Sequence, residues 1–132
     1  METLQVRSQE REQFIDITEE VRRALKRLGL KQGALLIFVP HTTAGIVVNE
    51  GADPSVAHDV QADLQRLVPW DQPYYRHGEG NSPSHSRASL VGSHQWIVVE
   101  SGELQLGTWQ AIFFCEFDGP RNRRVFVQGL AA

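Results

Sequence analysis

The sequence predicts an α+β domain, an antiparallel β-sandwich with two helices in its N-terminal half. Three observations lead there. Two stretches within the first seventy residues carry a helical apolar period between cap signals. The remaining chain is dominated by alternating or continuous apolar runs, and Gly-containing turns separate them. Two early helices followed by a series of strands, six to eight in all, fit an antiparallel sheet better than a parallel one. At 132 residues the chain reads as a single domain spanning 1–132.

TLQVRSQ and QFIDIT read as two short strands around a polar turn. Thr18 then stands where an N-cap belongs, with Glu19 and Glu20 in the first turn. Val21, Ala24, Leu25 and Leu28 form an i, i+3, i+4, i+7 stripe, and Lys26 and Arg27 precede a stop at Gly29. The nearly unbroken apolar run Gly33–Val39 suits a strand buried on both faces. It leads through Pro40-His41-Thr42-Thr43 into a second run, Ala44–Val48. Asp53 caps a second helix with Pro54 at its first position, where a missing N–H and a fixed φ cost nothing. Val56, Val60, Leu64 and Leu67 make its buried stripe. Toward the C-terminus, SLVGS, QWIVVESGEL, LGTWQAIFFCEF and RRVFVQGL read as four strands.

Between the second helix and those strands lies Pro69–Arg87, rich in Pro, Gly and Ser and without a hydrophobic period. Connections beyond about 12–15 residues are uncommon in compact domains and are usually functional or disordered. Trp70, Tyr74 and Tyr75 supply apolar area that disordered tracts lack, so this segment reads as an ordered loop carrying His77 and His85.

Charge and composition narrow the function. A net charge of −3 provides no general basic field, which argues against nucleic-acid or membrane-surface partners. No apolar run reaches the ~20 residues that cross a bilayer. The lone Cys115 excludes an internal disulfide and fits a reducing compartment, so the chain reads as cytoplasmic. Arg121, Arg123 and Arg124 form a local basic cluster, either a solvated strand end or an anion site. Nucleotide-binding G-x-x-x-x-G-K-[ST] and G-x-G-x-x-G loops are absent, as is a G-x-S-x-G nucleophile elbow.

Three of the five histidines stand in informative places. His41 follows a buried strand, and His77 and His85 bracket Gly78-Glu79-Gly80-Asn81. Imidazoles of this number suit a zinc or other transition-metal centre with one position open for water, although their spacing matches no strict zinc signature. His58 falls opposite its helix's apolar stripe and His94 sits in a polar context, so both read as surface residues. Read as a strand, Gly107–Gly119 places Trp109, Ala111, Phe113, Cys115 and Phe117 on one face, and Ile112, Phe114 and Glu116 on the other. Cys115 is then a buried, inert thiol. Glu116 is either paired, with Arg121 or Arg124 near in sequence, or catalytic.

Three blocks carry a family resemblance. The first is Pro40-His41-Thr42-Thr43-Ala44 with Asn49-Glu50, Asp53-Pro54 and Asp59. The second is His77–Asn81 with Ser84-His85. The third is Leu106–Gln110 with Glu116-Phe117-Asp118-Gly119-Pro120-Arg121. Together they resemble the YjbQ-like family, often labelled secondary thiamine-phosphate synthases, over about residues 5–128. The resemblance implies a compact homotrimer of β-sandwich subunits and a site gathering His41, His77 and His85 around a divalent metal ion. Zinc or another transition metal suits the histidines, and magnesium is the alternative. It further implies acidic residues with catalytic roles, here Glu50, Asp59 and Glu116. Thr42, Thr43, Asn81, Trp109, Gln110, Arg121 and Arg124 would bind substrate and phosphate, and Trp70, Tyr74 or Trp109 would stack on a flat ring. The implied activity couples a pyrimidine diphosphate to a thiazole phosphate and releases pyrophosphate. A metal-dependent hydrolase and a non-catalytic metabolite- or metal-binding trimer are the alternatives, and in each the partner is a small molecule.

Overall fold

Glu116 and Arg123 meet at the seam of two antiparallel sheets. A computed structural model describes all residues 1–132. The strands are β1 (Glu2–Arg7), β2 (Gln13–Asp16), β3 (Gly33–Phe38), β4 (Ala44–Glu50), β5 (His94–Glu100), β6 (Glu103–Leu104), β7 (Gln110–Glu116) and β8 (Asn122–Ala131). The helices are α1 (Thr18–Leu28), α2 (Pro54–Leu67) and α3 (Ser82–Val91). Five strands form one sheet in the order β1-β8-β3-β5-β6, and three form the other in the order β2-β7-β4. All pairings are antiparallel. The α+β class is therefore as predicted.

Period-two alternation determines what each sheet contributes to the core. Leu4 and Val6 of β1, Leu35 and Ile37 of β3, Ile97 and Val99 of β5, and Val125 and Val127 of β8 point inward from the five-stranded sheet. Ala44, Ile46, Ile112 and Phe114 meet them from the other sheet, and Ile17, Val21, Ala24 and Leu25 close the cluster from α1. The opposite face of β7 supplies Ala111, Phe113 and Cys115 to a second, smaller cluster with Phe117 and Ala88. The alternation read from Gly107–Gly119 thus holds over Ala111–Phe117, with both faces buried. Burial pushes the Cys115 thiol far above its ordinary range, which makes it inert.

Several elements differ from the sequence reading. A third helix, α3, occupies Ser82–Val91, so the helices are not confined to two in the N-terminal half, and the loop ends at Asn81. SLVGS is the end of that helix and the turn after it, not a strand. QWIVVESGEL divides at Ser101-Gly102 into the β5–β6 hairpin, and Leu106–Trp109 lies ahead of β7. The cap of α1 comes from Asp16, whose Oδ1 accepts the Thr18 N–H at 2.9 Å, while the Thr18 hydroxyl accepts the Ile112 N–H at 2.9 Å. Gly29 does end that helix, in the left-handed conformation. Asp53 caps α2 as predicted, accepting the Ser55 N–H, but α2 has no fully buried residue and Leu67 is exposed. β3 is buried on one face only. Its other face, with Phe38, continues into exposed Trp96, Val98 and Leu130 on the outside of the five-stranded sheet.

Candidate functional site

The seam between the sheets ends in a buried ion pair. Leu4 and Val6 alternate inward along β1, and Ser8 continues that alternation just beyond the strand. Arg123 precedes Val125 and Val127 on the inward face of β8, and Glu116 follows Ile112 and Phe114 on the inward face of β7. The three polar side chains therefore meet where the apolar layers stop. Glu116 Oε1 accepts the Ser8 hydroxyl at 2.6 Å and Arg123 Nε–H at 2.9 Å. Its Oε2 accepts Arg123 Nη2–H and the Asp118 N–H. Arg123 Nη2 also donates to Thr43 Oγ1 at 2.9 Å. Burial opposes the charge on Glu116, but the bonds from Arg123, Ser8 and Asp118 outweigh it and hold the carboxyl below its ordinary value. Glu116 is thus paired, and its partner is Arg123 rather than Arg121 or Arg124.

Above this pair lies an open cleft of about 410 Å³. The β3–β4 connection contributes His41, Thr42 and Thr43. The loop before α3 contributes His77, Glu79 and Asn81, α3 contributes His85, and the β7–β8 connection contributes Asp118 and Arg121. Apart from the ring of Pro40, its lining is polar. The His77 and His85 rings stand edge to face with centroids 5.2 Å apart, and Glu79 lies 3.9 Å from His77 Nε2. Asn81 Nδ2 donates to Asp118 Oδ2 at 2.8 Å. Arg121 is aimed by two bonds, Nε–H to the Asp118 carbonyl at 2.7 Å and Nη2–H to Asp118 Oδ2 at 3.0 Å. Ser84 anchors the helix that carries His85, donating its hydroxyl to the Phe117 carbonyl at 2.6 Å.

His41 is fixed from behind. Its Nε2 accepts the backbone N–H of Arg124 at 2.9 Å. Burial, then the charges of Arg123 and Arg124, lower its pKa, so the ring is neutral near pH 7. A neutral imidazole accepting at Nε2 carries its proton on Nδ1. In this orientation His41 has a hydrogen bond to donate and no lone pair for a cation.

Seven residues singled out in the sequence thus line one cleft: His41, Thr42, Thr43, His77, Asn81, His85 and Arg121. Others lie elsewhere. The ladder of β4 and β7 pairs Ala44 with Glu116 at the cleft end and Glu50 with Gln110 at the far end. Six residues at about 3.4 Å each separate these ends by roughly 20 Å. Trp109 and Gln110 line a separate groove with Asp16 and Glu19, and Asp59 sits on the exposed side of α2. Arg124 faces out from the five-stranded sheet with its guanidinium over Phe126. Trp70 is covered by the Arg11 and Arg87 guanidiniums, and Tyr74 is exposed against Tyr75. Ser8 and Asp118 have no role in the sequence reading, and Arg123 enters it only as part of the basic cluster. Extending the inward alternation of β1 and β8 by one step identifies the first and last of them.

A protein-family profile for UPF0047 proteins, YjbQ-like, matches residues 2–132. The chain belongs to the YjbQ-like family. UPF0047 protein YugU of Bacillus subtilis is 48% identical over 128 residues, 97% of each chain. A UPF0047 protein of Methanocaldococcus jannaschii is 48% identical over 126 residues, covering 94% of this chain and 89% of its own. Among solved structures, an uncharacterized YjbQ/UPF0047 protein from Clostridium acetobutylicum superposes with a TM-score of 0.95 at 47% identity, over 98% of this chain and all of the other. A YbjQ-like protein of unknown function from Sulfolobus solfataricus superposes with a TM-score of 0.94 at 31% identity, over 99% and 96% of the two chains. The two-sheet architecture described above is thus common to YjbQ-like proteins from a bacterium and an archaeon.

Proposed function

We propose that the histidine cleft of this YjbQ-like protein is an active site for metal-assisted chemistry on a small phosphorylated metabolite. The observation that carries this reading is the convergence of His41, His77, His85, Asn81 and Arg121, from separate parts of the chain, on one polar cavity. The nameable version is the secondary thiamine-phosphate-synthase reaction, a transfer that couples a pyrimidine diphosphate to a thiazole phosphate and releases pyrophosphate. Arg121, held in a fixed direction by Asp118, suits an oxyanion of the leaving diphosphate. His41 offers its Nδ1–H to a second oxygen, and Thr42 is exposed at the rim.

A divalent ion fits part of the cleft. Two imidazoles bound to one tetrahedral ion at ~2.1 Å have ring centroids roughly 5 Å apart, and His77 and His85 stand at 5.2 Å. These two residues would hold the ion, which would polarise a substrate oxygen. His41 as oriented would not, and no third His, Cys, Asp or Glu closes on the same point. Imidazole donors favour zinc over magnesium, which prefers oxygen. That preference is the observation that favours metal-dependent hydrolysis as the second reading.

Elemental analysis of untagged protein purified without chelator tests the centre. About one transition-metal ion per chain is expected, falling to background in His77→Ala/His85→Ala. Equal, negligible metal in both proteins would remove the ion from the reading and leave a magnesium-borrowing diphosphate reaction or a binding module.

The homotrimer belongs to the same proposal. Across the outer face of the five-stranded sheet, Leu36 pairs with Trp96, Ala34 with Val98 and Leu130, and Phe38 with Phe126. Contiguous exposed apolar area of this kind marks association surfaces. Light scattering is expected to give about three times the 14.9 kDa chain mass, reduced in Trp96→Glu/Val98→Glu. A clean monomer at micromolar concentration would exclude the trimer. With its single buried thiol the assembly is assigned to the cytoplasm.

A further inference from the structure

We infer that a second groove, on the far side of Arg121 from the histidine cleft, is a binding site for a phosphate-type oxyanion, with Arg7 as its principal cation. The groove encloses about 560 Å³ where β1 ends and β8 begins. It is lined by Arg7, Ser8, Gln9, Pro120, Arg121 and Asn122, polar apart from the proline ring and without an acidic residue. In a chain of net charge −3, the unpaired guanidinium of Arg7 and the free Nη1 edge of Arg121, on a groove with no acidic lining residue, select an anion over a cation or an apolar ligand.

The register brings these groups together. Arg7 and Asn122 are direct cross-strand partners at the last rung of the β1–β8 ladder, so their side chains stand on the same face. Arg7 makes no ion pair, unlike Arg11, Arg22, Arg23, Arg27, Arg87, Arg121 and Arg123. Arg121 spends Nε and Nη2 on Asp118, and its Nη1 has no partner. Of the nearby carboxylates, Asp118 is engaged by Arg121 and Asn81, and Glu116 lies beneath Ser8 and is neutralised by Arg123. Planar guanidinium forks with amide donors from Gln9 and Asn122 match the several oxygens of a tetrahedral phosphate better than a single carboxylate. The site goes beyond the histidine-centred reading, since it stands on Arg7 and does not need a metal.

Titration calorimetry with inorganic phosphate and with pyrophosphate decides the matter. Both anions are expected to bind the wild type, and Arg7→Gln should weaken them about tenfold or more, as loss of one charge-assisted bond implies. Arg7→Lys should recover part of the affinity. Arg7 is exposed, so both variants should fold, and unchanged thermal midpoints would verify that. The Arg7-dependent binding event should persist in His77→Ala/His85→Ala, whatever binding the histidine cleft adds of its own and even if the variant loses every trace of metal. Unchanged affinity in Arg7→Gln, or no binding by the wild type at millimolar anion, overturns the site. Binding lost in the histidine variant and kept in Arg7→Gln would place the anion in the other cleft, and would overturn this inference while sparing the proposed function.

Discussion

Glu116→Ala is expected to destabilise the protein by about 3–5 kcal/mol, the usual consequence of removing one partner from a buried ion pair. Arg123 is 5% exposed and sends two of its nitrogens to Glu116. Without the carboxylate it becomes an uncompensated cation at the end of the core. Ser8 and the Asp118 N–H lose their acceptor at the same time. Glu116→Leu/Arg123→Leu should recover much of the loss, because the charge and its partner leave together. Chemical denaturation of the three proteins checks both statements. A Glu116→Ala loss below 1 kcal/mol would mean that the pair is hydrated in solution. The pH dependence has a definite sign. A carboxyl held below its ordinary value in the folded state adds stability that is complete above that value, about 4.3 for glutamate. The contribution is lost as pH falls from there through the folded-state pKa. Unfolding curves between pH 7 and 2 should show an acid limb in the wild type that is reduced in Glu116→Gln.

Gly119→Ala is the second substitution with a large expected effect, and it acts on the clefts as well as on stability. A Cβ at Gly119 would lie 2.3 Å from the Glu10 carbonyl oxygen, 2.6 Å from Ser8 Oγ and 2.9 Å from Glu116 Cγ. The first is backbone, so the β7–β8 connection itself must move. Overpacking of this kind costs about 1–3 kcal/mol. The same shift carries Asp118 and Arg121 with it, because Gly119 lies between them and its N–H donates to the Arg11 carbonyl. A thermal midpoint lower by several degrees, together with weakened phosphate binding, is the expected result. Wild-type values for both would show that the connection accommodates the methyl group.

Legibility from sequence followed the range of the forces involved. α1 and the β7 alternation were readable because their apolar periods are local and strong. α3 was not, because SPSHSRASLV contains no apolar stripe. Half of its buried side is polar, with Ser84 bonded to the Phe117 carbonyl, and Arg87 to Glu12 and the Val68 carbonyl. Tertiary partners, not propensity, make that segment a helix. The same limit applied to the site. His41, His77 and His85 were singled out by residue type, and the structure brings them to one cleft. Glu50, Trp109 and Gln110 were grouped with them by the family resemblance, yet Glu50 ends the strand that His41–Thr43 lead into, and the pairing of Glu50 with Gln110 puts all three at the far end of the β4–β7 ladder. Arg123 was overlooked as the partner of Glu116 although it is nearer in sequence than Arg124; the pleat sends Arg123 inward with Val125 and Val127 and Arg124 outward, and only that alternation separates the two.

The place of β8 in its sheet has a consequence for how the protein is made. β8 sits between β1 and β3, pairing Leu4 with Val125 and Ile37 with Val127. The N-terminal strand therefore has no neighbour until residues more than a hundred positions later have been synthesised. α1 can form as soon as it leaves the ribosome, but the layer it covers cannot. Contacts of such long sequence separation slow folding. The nascent chain must hold β1 unpaired until β8 emerges, and β3, which can already pair with β5, keeps its other edge open until then, so the five-stranded sheet closes only when β8 enters between them.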